Sequence, residues 1–188
     1  MFYAPEAFPA LQALADATPA IRAEFQRLDR TMLDIPRTSV HEEFAKNMLG
    51  RPGVWTPNWQ VDSPDGNYQW LTYWLYYLGQ SPIDAPGKLP RTLALLRALP
   101  GCRVAGFLLL KPLSVIGAHV HPELGDGILT AHLGIDMAPG CSYLHVAGAF
   151  EEEAVGRLVV FDGSAMHFAL NASTTDRVIL YVEFDTRT

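Results

Sequence analysis

The chain has 188 residues, of which 49% are hydrophobic and 18% are charged, a composition that excludes a disordered chain and predicts one globular domain over residues 1–188. Its net charge of -6 argues against nucleic acid or an anionic membrane as the main partner. The sequence shows neither a basic leader with an apolar run nor an apolar stretch of about 20 residues, so we expect a cytoplasmic protein.

The first hundred residues are predicted to form a helical and irregular cover. The segment FPALQALADATPAIRAEFQRL has apolar residues at helical spacing, and we expect a break at Thr18–Pro19 because proline suits the first turn of a helix. HEEFAKNML, which starts at His41, is a short helix candidate, and KLPRTLALLRALPG predicts a helix bounded by prolines. The aromatic run from Tyr68 to Tyr77 is too apolar to be exposed.

From Cys102 onward, short apolar runs alternate with turns rich in Gly, Pro and Asp, which is typical of an antiparallel sandwich or barrel. The runs Val104–Leu110 and Val178–Val182 are apolar at successive positions, so both faces of these strands must be covered. The N-terminal helices are the available cover. The sequence therefore predicts a mainly β fold with flanking α-helices, in which residues 101–188 form a barrel core and residues 1–100 cover it.

Two histidines and an arginine lie at predicted strand ends, where a rigid scaffold commonly presents functional groups. His119 follows the strand GFLLL and a turn-rich stretch, His167 opens HFALN, and Arg177 opens RVILYVEF. From the residues alone, Arg177 is better interpreted as a solvated arginine at the start of a strand. Two neutral imidazoles suit Fe(II), and a guanidinium binds a carboxylate through two parallel charge-assisted hydrogen bonds. The spacing alone also describes zinc sites and cupin metal sites. We interpret His41 and His145 as structural residues.

The stretch from Gly106 to Phe184 resembles the aspartyl/asparaginyl β-hydroxylase family of Fe(II)/2-oxoglutarate-dependent dioxygenases. The resemblance lies in the blocks LLLKPLSVIGAH, AHLGIDMAPGC, EEEAVGRLVVFDGSAMHFALN and RVILYVEF, of which VVFDGSAMH is the most specific. It implies a double-stranded β-helix, the jelly-roll or cupin-like barrel, backed by the N-terminal helices. It also implies an enzyme that uses Fe(II), 2-oxoglutarate and O2 to hydroxylate a C–H bond of an amino-acid-like or peptide substrate.

The resemblance also assigns roles to individual positions. His119 and His167 match the iron ligands of the catalytic centre. Arg177 matches the arginine that pairs with the distal carboxylate of 2-oxoglutarate. His132 matches a histidine that lines the cosubstrate pocket. Thr130 lies on the same predicted strand face as His132 and is a further candidate for that pocket, although the family often has a basic residue at this position.

Position 121 departs from the pattern of two histidines and a carboxylate, because His121 stands where an acidic ligand is usual. In one interpretation, His119 and His167 hold the metal alone and His121 lies behind them or faces the substrate. In a second, His121 is a third metal ligand. In a third, the chain slips by two residues and His121 pairs with Glu123. The distance from Lys111 to His119 favours the first interpretation over the third, and the second follows the first closely.

Two other functions are open from the sequence. A three-histidine, cupin-type oxygenase needs no 2-oxoglutarate, so Arg177 is dispensable for it. A barrel that binds a metal or ligand without catalysis predicts a bound metal but no succinate formation. In each case the expected partner is a small molecule, for the oxygenases an amino-acid-like or peptide substrate, and neither nucleic acid nor a membrane. The sequence leaves the oligomeric state open.

Overall fold

The computed structural model describes residues 1–33, 48–60 and 63–188, with backbone alone for residues 60, 63 and 64. The described strands are β1 Phe2–Tyr3, β2 Trp55–Gln60, β3 Ser63–Tyr77, β4 Cys102–Leu110, β5 Ser114–His119, β6 Ile128–Asp136, β7 Ser142–Val146, β8 Ala149–Glu152, β9 Leu158–Phe161, β10 His167–Asn171 and β11 Arg177–Asp185. The described α-helices are α1 Pro9–Asp16, α2 Thr18–Gln26, α3 Ala85–Lys88 and α4 Pro90–Ala98. Two 3₁₀ helices lie at Pro5–Ala7 and Pro122–Leu124.

The strands form two antiparallel sheets. The large sheet has the order β1-β9-β6-β11-β4-β3-β2, and the small sheet has the order β5-β10-β7-β8. Strands β4 to β11 are distributed between the two sheets in the order of a jelly roll, with β4, β11, β6 and β9 in one sheet and β5, β10, β7 and β8 in the other. The mainly β, double-stranded β-helix fold expected from the sequence is therefore confirmed.

Side chains of the large sheet alternate between two cores, because successive residues of a strand face opposite sides. In β4, Phe107 and Leu109 pack under the helices, whereas Leu108 and Leu110 pack between the two sheets. Both faces of β4 and β11 are covered, as their continuous apolar runs predicted. The same alternation decides which polar side chains of β6 and β11 point into the barrel.

The N-terminal helices cover the outer face of the large sheet. Helix α1 ends at Asp16, and α2 begins at Thr18 with a proline in its first turn, so the predicted break is confirmed. Burying one large apolar side chain stabilises the fold by about 1.5–3 kcal/mol. The helices supply several such side chains to the core under them: Leu11, Leu14, Ile21, Phe25, Leu96.

Glu24 connects α2 to α4. Its carboxylate accepts hydrogen bonds from the backbone N–H groups of Arg91 at 2.7 Å and Thr92 at 2.9 Å, and from the Thr92 hydroxyl at 2.6 Å. These two amides lie in the first turn of α4, where a helix supplies no acceptor of its own. A side chain from one helix therefore caps the next and holds the two together against the sheet.

The segments Trp55–Gln60 and Ser63–Tyr77 are strands, which corrects the prediction that the first hundred residues are helical and irregular. Strand β2 pairs with β3, with Trp55 opposite Tyr73, and β3 pairs with β4, with Leu71 opposite Leu109. Aromatic and β-branched residues favour strands, and residues 70–77 are largely buried there. Of the helix candidate HEEFAKNML, residues 41–47 lie outside the described part of the chain.

Candidate metal centre

His119 and His167 lie opposite each other in the small sheet. His119 is the last residue of β5, His167 is the first residue of β10, and the antiparallel register pairs them directly. Their ring centroids are 4.2 Å apart. Two strand ends that are distant in sequence thus bring together the two histidines singled out as candidate ligands.

His121 joins this pair from the segment that leaves β5. Its backbone N–H donates to the Gly163 carbonyl at 3.0 Å, which ties it to the turn before His167. One ring nitrogen from each of His119, His121 and His167 lies within 4.8 Å of the other two, and no carboxylate belongs to this group among the described residues. This geometry favours His121 as a third ligand and disfavours the slipped pairing with Glu123.

The backbone fixes the proton on two of the three rings. Nδ1 of His119 lies 2.7 Å from the Gly117 carbonyl, and Nδ1 of His167 lies 2.8 Å from the Ala165 carbonyl. A carbonyl oxygen only accepts hydrogen bonds, so Nδ1 must carry the proton in both rings. Nε2 of each ring is then left with a lone pair that can bind a metal.

A carboxylate fixes the third ring in the same way. Nδ1 of His121 lies 3.1 Å from Oε1 of Glu123. Carboxylates commonly orient metal-binding histidines from behind and increase the basicity of the ligating nitrogen. Glu123 is therefore placed to orient the His121 ring. Its negative charge lies behind this ring and not at the candidate metal position, where an acidic ligand would place it.

Burial keeps His119 and His167 neutral. It lowers the pKa of His119 to about 4, an effect that His121 and His132 add to and the Gly117 carbonyl opposes. Burial and then the neighbouring His119 lower the pKa of His167 to about 3. Neutral imidazole is the form that binds a metal, so the site does not have to release protons from these rings at neutral pH.

The turn before His167 is organised by Asp162. Its Oδ1 accepts hydrogen bonds from the Ser164 backbone N–H at 2.9 Å and from the Ser164 hydroxyl at 2.6 Å. Such a side-chain turn is typical of aspartate. This turn places the Ala165 carbonyl next to the His167 ring. The motif VVFDGSAMH, the most specific of the resemblance, thus fixes the orientation of one candidate ligand.

Arg177, the arginine expected to bind the cosubstrate, is held by a carboxylate of the chain itself. Its Nε donates to Oε2 of Glu153 and its Nη2 donates to Oε1, each at 2.6 Å. Nδ1 of His132 donates to Oε1 of Glu153 at 2.9 Å. Arg177 and Glu153 are each 1% exposed. The structure therefore brings Arg177 and His132 together, as the resemblance implied, but around an internal carboxylate.

The charges of this triad balance. Burial acts to raise the pKa of Glu153, but the Arg177 charge and the His132 hydrogen bond outweigh it and lower the pKa to about 2. Burial lowers the pKa of His132 against the opposing effect of Glu153. The triad thus consists of one cation, one anion and one neutral imidazole, the combination that a buried position tolerates.

Phe161 separates this triad from the metal centre. Its ring centroid lies 4.9 Å from that of His132 and 5.3 Å from that of His167. Thr130, the further candidate for the cosubstrate pocket, is buried and pairs with Phe161 in the sheet. A Cβ added at Gly163 would come within 2.8 Å of the Thr130 hydroxyl. Thr130 therefore packs under the turn that precedes His167.

An apolar pocket lies beside the three histidines. The Trp59 ring centroid is 4.9 Å from that of His119, and the Trp70 centroid is 5.9 Å from it. Within the described part of the chain, the pocket wall contains no lysine and no arginine. The wall is formed by these residues: Asn58, Trp59, Trp70, Thr72, Trp74, Gly106, Leu108, His121, Tyr181.

His145 lies on the other face of the small sheet. It pairs with Phe168, the residue after His167, so its side chain points away from the metal centre. Its ring stacks on Phe168 with centroids 4.5 Å apart and packs against Phe150 at 4.7 Å. This environment agrees with a structural role. His41, the other histidine interpreted as structural, lies outside the described residues.

Sequence reasoning missed Glu153 and the aromatic wall. Glu153 belongs to the run Glu151–Glu153, which has the composition of a solvated surface, but it is buried while its two neighbours are partly exposed. The available signal was its position inside the block EEEAVGR that carries the resemblance. Trp70 belongs to the aromatic run that was expected to be buried, but no spacing rule connects Trp59 or Trp70 to His119.

Comparison with known proteins supports one family. The sequence model of the aspartyl/asparaginyl β-hydroxylases matches residues 15–187. The chain is also 24% identical over 184 residues to an ornithine lipid ester-linked acyl 2-hydroxylase of Rhizobium tropici. That match covers 97% of this chain and 59% of the relative, so the chain spans less than two thirds of the length of that protein.

Solved structures that are similar to this chain match it at low sequence identity. A predicted oxalate decarboxylase of Thermotoga maritima is 16% identical, with a TM-score of 0.45 over 80% of this chain and 98% of that chain. KdgF of Halomonas sp. is 13% identical, with a TM-score of 0.40 over 67% of this chain and 84% of that chain. In the part of the chain that the structure describes, no helix combines the length and the apolar character needed to cross a membrane.

Proposed function

Because the chain belongs to the aspartyl/asparaginyl β-hydroxylase family, we propose that it is an iron-dependent oxygenase that hydroxylates a C–H bond. The observation that carries the proposal is the group His119, His121 and His167, in which each Nδ1 is hydrogen-bonded and each Nε2 is left for a metal. Three imidazole ligands fit Fe(II). Bound Fe(II) would supply the dioxygen chemistry that side chains cannot perform.

The chain's own residues hold and shield this site. The carbonyls of Gly117 and Ala165 and the carboxylate of Glu123 accept hydrogen bonds from Nδ1 of the three rings, so that in each neutral ring the lone pair lies on Nε2. Trp59 and Trp70 pack against His119 and limit the access of water from that side. A dry wall beside the reacting centre protects reactive species from side reactions.

The pocket favours an apolar substrate over an acidic one. Its wall is built mainly from tryptophan, tyrosine and leucine, and Asn58 and Thr72 satisfy each other through a hydrogen bond of 2.8 Å. Among the described residues of this wall, an aspartyl carboxylate would find no cation. We therefore propose an acyl chain as a further substrate class, beside the amino-acid-like or peptide substrates of the family. An acyl group is also the one that appears in the name of the Rhizobium tropici relative.

The cosubstrate implied by the family is 2-oxoglutarate, and the arginine expected to bind its distal carboxylate does not fit that role as it is arranged. The Nε–Nη2 edge of the Arg177 guanidinium, which would bind a carboxylate through two parallel hydrogen bonds, is already occupied by the carboxylate of Glu153. This pairing favours a second candidate function, a three-histidine oxygenase that works without 2-oxoglutarate. Both candidates share the proposed metal centre and the hydroxylation, in which a C–H bond, O2, two electrons and two protons give an alcohol and water. Oxidation of 2-oxoglutarate to succinate and carbon dioxide would supply the two electrons in the first candidate, and an external two-electron reductant such as ascorbate would supply them in the second.

The test is hydroxylation of defined substrates by the protein supplied with Fe(II), O2 and ascorbate, with and without 2-oxoglutarate. Product that requires 2-oxoglutarate supports the first candidate, and product that forms with ascorbate alone supports the second. An ornithine lipid with an ester-linked acyl chain, an aspartyl peptide and an asparaginyl peptide are offered, and addition of one oxygen atom is followed by mass spectrometry. We expect product from the acyl substrate, loss of product in His167→Ala, and retention in His145→Ala, which removes a histidine on the opposite face.

Two results would contradict the proposal. If His167→Ala forms as much product as the unmodified protein, the metal centre is elsewhere. If the protein binds Fe(II) through the three histidines but oxidises none of the substrate classes, the barrel that binds a metal without catalysis is supported instead.

A further inference from the structure

We infer that Glu153 and an external carboxylate are mutually exclusive partners of Arg177, so that Glu153 decides whether this chain can bind a carboxylate-bearing cosubstrate. The consequence for turnover rests on the proposed oxygenase function. The binding itself does not, and it can be measured on the metal-free protein.

The geometry of the pair carries the first step. A guanidinium binds a carboxylate best through two parallel N–H···O bonds, and Glu153 already makes two such bonds with the Nε–Nη2 edge of Arg177 at 2.6 Å each. A second carboxylate on another edge would place two anions around one buried cation. This arrangement would leave one negative charge uncompensated in a buried site, which is strongly unfavourable. An incoming carboxylate therefore has to displace Glu153.

The backbone shows that Glu153 is placed by the fold. The segment after β8 crosses β6 at Gly134, where an added Cβ would lie 1.9 Å from the Ala154 carbonyl oxygen. The Gly156 N–H donates to the Gly134 carbonyl at 2.9 Å, and the Gly134 N–H donates to the Arg157 carbonyl at 3.1 Å. Because Gly134 has no side chain, this segment can approach closely enough for Glu153 to enter the barrel.

A third hydrogen bond strengthens the internal pairing. His132 donates from Nδ1 to Oε1 of Glu153 at 2.9 Å, and the backbone N–H of Glu153 donates to the Ser142 carbonyl at 2.9 Å. An external carboxylate has to replace the bonds to both Arg177 and His132. Removal of the Glu153 side chain, in contrast, leaves a buried guanidinium without its anion, which is strongly unfavourable unless another anion enters.

The experiment measures carboxylate binding to the metal-free protein through its thermal stability. The unmodified protein, Glu153→Ala and the neighbouring control Glu152→Ala are titrated with formate, acetate and 2-oxoglutarate, with chloride at equal ionic strength as the reference. We expect Glu153→Ala to bind these carboxylates more tightly than the unmodified protein by about tenfold or more, because they restore the missing anion. Glu152→Ala should behave like the unmodified protein, since its side chain lies at the surface.

Arg177→Met in the Glu153→Ala background identifies the binding group, and we expect the carboxylate response to disappear in this double variant. If Glu153→Ala does not fold, Glu153→Gln keeps the size and one acceptor oxygen, and we expect it too to bind 2-oxoglutarate more tightly than the unmodified protein. The inference is overturned if 2-oxoglutarate stabilises the unmodified protein through Arg177 as strongly as it stabilises these variants. It is also overturned if a folded Glu153 variant shows no saturable response to any of the three carboxylates. Neither result depends on whether the protein hydroxylates a substrate.

Discussion

At the scale of single residues, the position of each imidazole proton decides what the metal centre can bind. Acceptors behind all three rings hold the proton on Nδ1, and the acceptor behind His121 is a carboxylate rather than a carbonyl. A carboxylate behind a ligating histidine strengthens the ligand without adding charge to the first coordination layer. The absence of an acidic residue at position 121 is thus offset in part by Glu123.

The two open interpretations of His121 predict different metal affinities for the variant His121→Ala. If His121 is a ligand, His121→Ala should lower the affinity for Fe(II), or for Mn(II) as a redox-stable substitute, by more than about 100-fold, and Glu123→Gln should lower it by about tenfold. Isothermal titration calorimetry on the metal-free proteins measures both. An affinity of His121→Ala equal to that of the unmodified protein would instead support a metal held by His119 and His167 alone.

The pairing of Glu153 with Arg177 makes stability depend on pH in the acid range. The pKa of Glu153 is about 2 in the folded protein, below its usual value of 4.5. A group with a lowered pKa stabilises the fold above its unfolded pKa, and this contribution is lost as the pH falls toward the folded value. The free energy of unfolding of the unmodified protein should therefore exceed that of Glu153→Gln by about 3 kcal/mol at neutral pH.

Urea unfolding at neutral pH and at a series of acidic pH values measures this difference. It should stay constant down to about the usual glutamate pKa and shrink below it. A difference that does not change with pH would mean that Glu153 stabilises the fold through its shape and not through its charge.

At the scale of elements, the connection between β8 and β9 is as important to the site as the strands. It lies against β6 because Gly134 leaves room for the Ala154 carbonyl. The resemblance block that contains Glu153 was visible in the sequence, but its insertion into the barrel was not. Residues 153 and 177 are distant in sequence, and only the close approach at Gly134 turns an acidic run into a buried ion pair.

Gly134→Ala tests this contact. The added methyl group cannot be accommodated without a shift of the segment after β8, so we expect a loss of about 2–4 kcal/mol in the free energy of unfolding. Gly87→Ala is the matched control, because Gly87 lies in helix α3, a Cβ added there would meet no atom within 4 Å, and alanine favours a helix. Equal stabilities of the two variants would show that the segment is free to move away from β6.

Other elements were predictable to different degrees. The helix break before Pro19 and the helix that begins at Pro90 follow from local chemistry, and the structure has both. Strands β2 and β3 were assigned to the cover, because an aromatic run without clear alternation does not distinguish a strand from a buried helix. Their pairing depends on the edge that β4 offers, which is a property of the assembled sheet.

At the scale of the whole molecule, the large sheet has one core on each face, and the core that holds the helices lies on the face opposite the polar groups of the candidate site. The outer core holds the helices on the sheet, and the inner core surrounds the polar groups of the barrel. Alternation along β6 and β11 directs His132 and Arg177 inward, while Leu133 and Val178 pack outward. The sequence predicted both covered faces from apolar runs, but the partner of each inward polar residue required the sheet order.

The central position of β11 has a consequence for the order of folding. Strands β4 and β6 are close in sequence, yet β11 lies between them, so neither can complete its hydrogen bonds on that side until residues 177–185 are in place. Pairings of such long range form slowly.

In pulsed hydrogen exchange during refolding, the amides of β4 and β6 that point toward β11 should become protected in one phase with those of β11. Early protection of these amides, ahead of β11, would contradict this order. Since β11 begins at Arg177, Glu153 acquires its counterion only in the step that closes the barrel.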